Sequence, residues 1–294
     1  LARAVAGAGI AVTLGGGWQA AVAGFLVSLL LQQVIGLVDV TRWPEFFLNV
    51  VGGFMAGLFA GVITLTNLDV TSALVVAAGI VILLPGLTLV TAVRDALVGF
   101  PTTAAGRGIQ VVVLISGIVA GVLGASGLLG VLGVEIGAVP PVRGADTVLV
   151  RTAAAAVVGT SFAVSNHAAG LVLPTSLVTG AGFLAYTGGV VVSDSAIIGT
   201  AVAALLVGML GTLLGRAVRT PSLIIVVPAI VPLLPGLTIY RGVVELTSGA
   251  TVEGLVTLLN AVVIALAIAA GALAGELLVT PRRRGQPDRG ARPA

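Results

Sequence analysis

Long apolar stretches alternate with short polar or turn-forming breaks along nearly the whole chain. Read by apolar length and polar interruption, they predict ten spans. These are 1–15, 19–38, 46–66, 71–93, 108–133, 147–165, 168–191, 196–216, 222–246 and 254–279. Most reach the length of roughly 20 residues that a helix needs to cross a hydrocarbon core of ~30 Å; the first is short. Trp18, Trp43, Tyr186 and Tyr240 fall near span ends, where amphipathic rings prefer to sit. The longest polar connection, GVEIGAVPPVRGADT at 133–147, separates five spans from five. The expected organisation is a first five-helix membrane repeat over 1–133 and a connecting loop over 134–146. A second five-helix membrane repeat covers 147–279, and a disordered basic tail 280–294. The fold class this predicts is an all-α polytopic membrane protein.

The two halves resemble each other at an offset of 150 residues. TSALVVAAGIVILLPGLTLVTAVRDALVG (71–99) lies over PSLIIVVPAIVPLLPGLTIYRGVVELTSG (221–249), so LLPGLT meets LLPGLT, Asp95 meets Glu245 and Gly99 meets Gly249. Two consecutive repeats of five spans must enter the membrane from opposite sides. That predicts inverted repeats, an architecture common among secondary transporters. With both termini cytoplasmic, that side receives eleven arginines and the other side three: Arg143, Arg151 and Arg241. The excess follows the positive-inside rule.

Composition fits the same class. Of 294 residues, 58% are hydrophobic and 9% charged, against about 25% charged in ordinary soluble domains. Mean hydropathy is +1.21. Most of the surface therefore has to face the lipid bilayer. The chain holds no cysteine and one histidine, which excludes thiolate and multi-histidine metal sites; no metal or cofactor is expected. Five of the fourteen basic residues sit in the tail RRRGQPDRGARPA. Such a tail suits anionic headgroups, and no nucleic-acid partner is expected. The sequence opens at Leu1 without a methionine, which we read as a fragment or processed product. Glycines four apart, at Gly53, Gly57 and Gly61, at Gly211 and Gly215, and at Gly271 and Gly275, predict close helix packing.

Pro-Gly inside two apolar spans is the pattern's main irregularity. Pro85 lacks an amide hydrogen and displaces the carbonyl four residues back, and Gly86 lets the backbone leave helical geometry. A new half-helix is expected to start at Gly86 and at Gly236, with free amides favouring a carboxylate. Pro228, Pro232 and Pro235 are expected to loosen the carbonyls of Ile224, Pro228 and Val231, leaving acceptors for an ammonium group or a proton carrier. An unpaired backbone group in hydrocarbon costs several kcal/mol, so such breaks persist where protein, water or solute satisfies them. A kink used only for packing is the plainer alternative. Matching breaks in two repeats favour a solute site at Pro85, Gly86, Leu87, Thr88, Pro235, Gly236, Leu237 and Thr238.

Charged residues follow both breaks. Asp95 and Glu245 are proton-coupling candidates, since a carboxylate drawn from water holds its proton more readily. Arg94 and Arg241 are pairing or lining candidates, with Arg241 and Glu245 one turn apart. Interfacial ion pairs with snorkelling arginines are the competing reading. Glu276 is expected to be solvated. GTSFAVSNHAAG (159–170) carries the only histidine. Ser161 and His167 are six apart, on different faces of any helix holding both, so no hydrolase is expected. A polar turn is preferred there, with Asn166 and His167 as lining candidates.

The paired segments LLPGLTLVTAVRDALVG and VVPAIVPLLPGLTIYRGVVELTSG resemble the bacterial threonine/serine exporter family across essentially the whole membrane part. The resemblance implies a non-enzymatic carrier in the bacterial cell membrane that expels threonine and serine by proton antiport. A dicarboxylate exporter is the alternative, since two-chain relatives are linked to dicarboxylate export, and a passive channel is the more distant one. The family also implies a hydrophilic cytoplasmic domain before the first span. That domain and a second copy of the chain are the candidate protein partners.

Overall fold

The computed structural model describes residues 1–39, 43–66, 78–79, 83, 86–134, 148–247 and 249–280. Every regular element among them is helical. In the first half these are α1 (Ala2–Thr13), α2 (Trp18–Asp39), α3 (Glu45–Thr64), α4 (Gly86–Val98) and α5 (Pro101–Val131). In the second they are α6 (Val148–Ser165), α7 (Val172–Ser193), α8 (Ala196–Ala217), α9 (Leu223–Ile230), α10 (Gly236–Thr247) and α11 (Thr251–Val279). Short 3-10 turns at Ala169–Leu171 and Val231–Leu233 precede α7 and follow α9.

Among the described residues, seven helices are long and apolar enough to span a membrane: α2, α3, α5, α6, α7, α8 and α11. The α9–α10 pair, bent by 43°, makes an eighth when taken as one span. They match eight of the ten spans read from the pattern, the first and the fourth being the other two. The first, 1–15, is a helix of only 12 residues, about 18 Å long at 1.5 Å per residue. Most of 71–85 in the fourth lies outside the described residues, as does the expected tail. Large apolar side chains point outward: Ile109, Val112, Leu149 and Leu259 are all more than half exposed. In water such a surface would aggregate; lipid is its natural solvent.

Packing repeats along the chain. In the first half α1 packs on α2, α2 on α3, and α5 on both α3 and α4. In the second α6 packs on α7, α7 on α8, and α11 on both α8 and α10. The turn closing α4 also recurs 150 residues later. Gly99 and Gly249 adopt φ of 93° and 89°, open to glycine at little cost. Phe100 N donates to Asp95 O at 2.8 Å, and Ala250 N to Glu245 O at 3.0 Å. Both bonds are the long closure of a glycine-terminated helix. The halves are joined by α1 on α6 and α4 on α11.

Small residues set the interhelix distances. A Cβ on Gly53 would lie 2.5 Å from the Ile118 carbonyl oxygen, and one on Gly271 2.6 Å from that of Ala201. A Cβ on Gly121 would collide with the Val50 carbonyl, and one on Gly275 with that of Leu205. Backbone thus touches backbone where α5 meets α3 and α11 meets α8, as small-residue stripes allow.

Candidate functional site

Two cavities flank α1, one at each end, and each borders one LLPGLT segment. The first, about 660 Å³, is lined by Arg3 of α1, Ser28 and Gln32 of α2, Glu45 and Asn49 of α3, Gln110 of α5, and by Leu83 and Thr88. The second, about 350 Å³, is lined by Thr13 and Leu14, Arg151 of α6, Phe183 and Tyr186 of α7, and by Leu233, Pro235, Leu237, Thr238 and Arg241. Arg3 opens α1 and Thr13 closes it, so the cavities lie at opposite ends of that helix. Corresponding positions build both: Leu83 and Leu233, Thr88 and Thr238, Leu114 and Ile264 line the first and second respectively. Each pair differs by 150 in number.

An apolar partition lies between them. Leu83, which lines the first cavity, and Leu237, which lines the second, pack against one cluster of Leu31, Ala56, Ala60, Ile118 and Val122. A second cluster unites Ile10, Ala78, Val158 and Val231, with Leu234 against it. Leucines of both LLPGLT segments therefore share one apolar cluster.

The second break has a definite geometry. Leu234 is extended at φ −59°, ψ 141°, the conformation that a following proline imposes. Gly236 N donates to Leu234 O at 2.8 Å and Ile239 N to Pro235 O at 2.9 Å. The amides of Leu237 and Thr238, in the first turn of α10, have no backbone acceptor among the described residues. Of the three carbonyls expected to be loosened, two have a donor: Val231 N bonds Pro228 O, and Leu234 N bonds Val231 O at 3.2 Å. The 3-10 turn makes these shorter closures.

The cavities differ in charge. At the first mouth, Gln110 Nε2 donates to Glu45 Oε2 at 3.3 Å, with Arg3 also on the wall. Deeper, Asn49 Nδ2 donates to Leu114 O at 3.2 Å and ties α3 to α5. The second cavity has Arg151, whose Nε donates to Thr13 O at 2.9 Å. Its guanidinium lies 6.0 Å from the Phe183 ring centroid, within cation–π range.

Of the residues singled out from the sequence, Thr88 lines the first cavity and Pro235, Leu237, Thr238 and Arg241 the second. Gly236 is buried behind them. Pro85 lies outside the described residues, and the surroundings of Gly86 and Leu87 are not described. The two segments thus border separate cavities. Asp95 lines neither cavity; Arg107 lies 2.9 Å from its Oδ2. That contact is an ion pair off the hydrogen-bond direction, since Oδ2 has no hydrogen-bond partner. Glu245 Oε2 accepts from Thr257 at 2.6 Å. Arg94 pairs with Glu276 at 3.0 Å, which corrects the solvated reading of Glu276 and joins α4 to α11. Asn166 and His167 are not brought to either cavity. Asn166 Nδ2 caps Phe162 O at 2.8 Å, and His167 turns the chain at φ 61°.

The polar side chains of the first cavity went unread in the sequence. A signal was present: Ser28, Gln32 and Gln33 interrupt an otherwise apolar α2, and Ser28 and Gln32 are one turn apart. Arg151, Tyr186 and Thr13 gave no comparable signal, because each sits at an end of an apolar run.

Comparison with known proteins decides the family. One threonine/serine exporter model matches residues 1–129, and a second, threonine/serine exporter ThrE, matches 149–278. The chain belongs to the threonine/serine exporter family. A threonine/serine exporter of Corynebacterium glutamicum is 34% identical over 295 residues, covering 97% of this chain and 59% of that protein. A "Probable threonine/serine exporter" of Mycobacterium tuberculosis (strain ATCC 25618 / H37Rv) is 33% identical over 289 residues, covering 94% and 54%. The chain thus spans a little over half the length of these relatives. No solved structure matches. The seven long apolar helices among the described residues agree with a multi-pass membrane protein.

Proposed function

We propose that this chain is the membrane part of a carrier that expels threonine and serine across a bacterial plasma membrane by alternating access. One observation carries the reading: two cavities at opposite ends of α1, each bordered by one LLPGLT segment and parted by a shared apolar cluster. A carrier needs a solute site reachable from one side at a time, and paired breaks in corresponding spans mark such sites. With inverted halves and both termini cytoplasmic, the first cavity opens to the cytoplasm and the second to the outside. Glu45 and Arg3 supply the charges that a zwitterion needs. The amides of Leu237 and Thr238, without a backbone acceptor among the described residues, offer a carboxylate a hold at the far side together with Arg151.

Export runs by proton antiport in this reading. Asp95 and Glu245 occupy corresponding positions behind the two breaks, and intramembrane carboxylates are the usual proton carriers. Labelled threonine in proteoliposomes, followed with and without an imposed pH gradient, tests this. Flux that rises with the gradient is expected; flux indifferent to it removes the coupling.

A dicarboxylate is the second candidate solute. It is favoured by Arg151 on the lining of the second cavity. Succinate competing with threonine for uptake in the same vesicles would support it. The apolar partition argues against a passive pore, and conductance that does not saturate would argue for one.

A further inference from the structure

Ser28 is 1% exposed, lines the first cavity, and its Oγ has no hydrogen-bond partner. That is unusual for a hydroxyl in these helices. Thr152, Thr160, Ser165, Thr179, Thr200 and Thr212 each donate to the carbonyl one turn back. Ser28 makes no such bond. Gln32, one turn further along α2, lines the same cavity, and its Oε1 is also buried without a partner. Residues four apart share a helix face. The two residues therefore bring an unmet donor and an unmet acceptor to the wall of one cavity, with Ser28 Oγ lying against Gly7 of α1 and both atoms closed to solvent.

Leaving such groups unpaired is costly. An alcohol satisfies both: its hydroxyl donates to Gln32 Oε1 and accepts from Ser28. Arg3 and Glu45 on the same lining suit an alcohol that also carries an ammonium and a carboxylate.

We propose that Ser28 and Gln32 read the β-hydroxyl of the transported amino acid and set the preference for threonine and serine over their hydroxyl-free analogues. The proposal rests on the carrier reading above. A polar pocket rejects a ligand lacking the expected hydroxyl because its own buried groups then stay unpaired. The analogue 2-aminobutyrate is threonine without that oxygen, so it isolates the contact.

The test is counterflow in proteoliposomes of the full chain, with labelled threonine and labelled 2-aminobutyrate measured in parallel. Ser28→Ala, a change small enough to preserve packing, is expected to raise the KM for threonine about tenfold. The KM for 2-aminobutyrate should stay in place, so the preference collapses. Gln32→Leu should act in the same direction. Ser165→Ala removes a hydroxyl already bonded to Ser161 O and should change neither KM. If Ser28→Ala and Gln32→Leu shift both substrates alike, or neither, the pair serves a resident water or packing and the proposal fails. A wild-type chain that moves no hydroxy amino acid would overturn the carrier reading itself; threonine transport with an unaltered preference overturns this inference alone.

Discussion

A glycine inside a helix costs up to ~1 kcal/mol against alanine, so one kept at a contact has to return something. Gly275 shows what. A Cβ there would collide with the Leu205 carbonyl and lie 2.7 Å from Met209 N. Both are backbone atoms, which no rotamer change can move. Gly275→Ala is therefore expected to destabilise the protein by about 1–3 kcal/mol, the usual cost of overpacking, read as a lower melting temperature in detergent. Gly127, in α5, has nothing within 4 Å of a built Cβ. Gly127→Ala should be neutral or slightly stabilising by the same measurement. The sequence shows glycine spacing, and so the stripe, but not which glycine faces a neighbour. Gly53, Gly271 and Gly275 were legible as packing residues. Ser28 was not, because its importance comes from a bond it fails to make.

At the scale of elements, the Pro-Gly break is where sequence and structure agree most closely. Proline fixes its own φ and constrains its predecessor, so Leu234 is extended and α10 starts at Gly236, as the residues dictate. Two of the three carbonyls expected to be free have a donor for an equally local reason. A 3-10 turn closes at three residues where an α-helix closes at four, and the amides of Val231 and Leu234 took up the slack. Pro235→Ala restores a donor and allows α9 and α10 to run on. Expression and melting temperature are expected to hold, while threonine flux falls by about an order of magnitude, equivalent to ~1.4 kcal/mol in the barrier. Equal loss of expression and flux would mark the break as a folding feature. The Arg94–Glu276 pair ties α4 to α11 with side chains 30% and 31% exposed. Such a pair contributes at most ~1 kcal/mol. Glu276→Gln should barely change the melting temperature, and it should alter the exchange rate if the two helices part during the cycle.

For the whole molecule, the all-helical class and eight of the ten spans were readable from apolar length. The cavities were not, since they depend on which polar side chains of different helices converge. Their sidedness is open to direct measurement. The chain has no cysteine, so single-cysteine variants report without background. Gln33→Cys, at the first cavity, and Ala196→Cys, at the second, are both exposed positions. A membrane-impermeant maleimide is expected to reach them from opposite faces of oriented vesicles. Labelling of both from one face would dismiss the two-sided arrangement.

One short helix forms a wall of both chambers. Because α1 has only 12 residues and its ends serve different openings, it can act as the beam of a see-saw. Any rocking that narrows one doorway widens the other. A blocker wedged at either end would then jam the beam and silence traffic in both directions. Such a molecule would need no likeness to threonine, and its potency would not fall as threonine is raised on the opposite side.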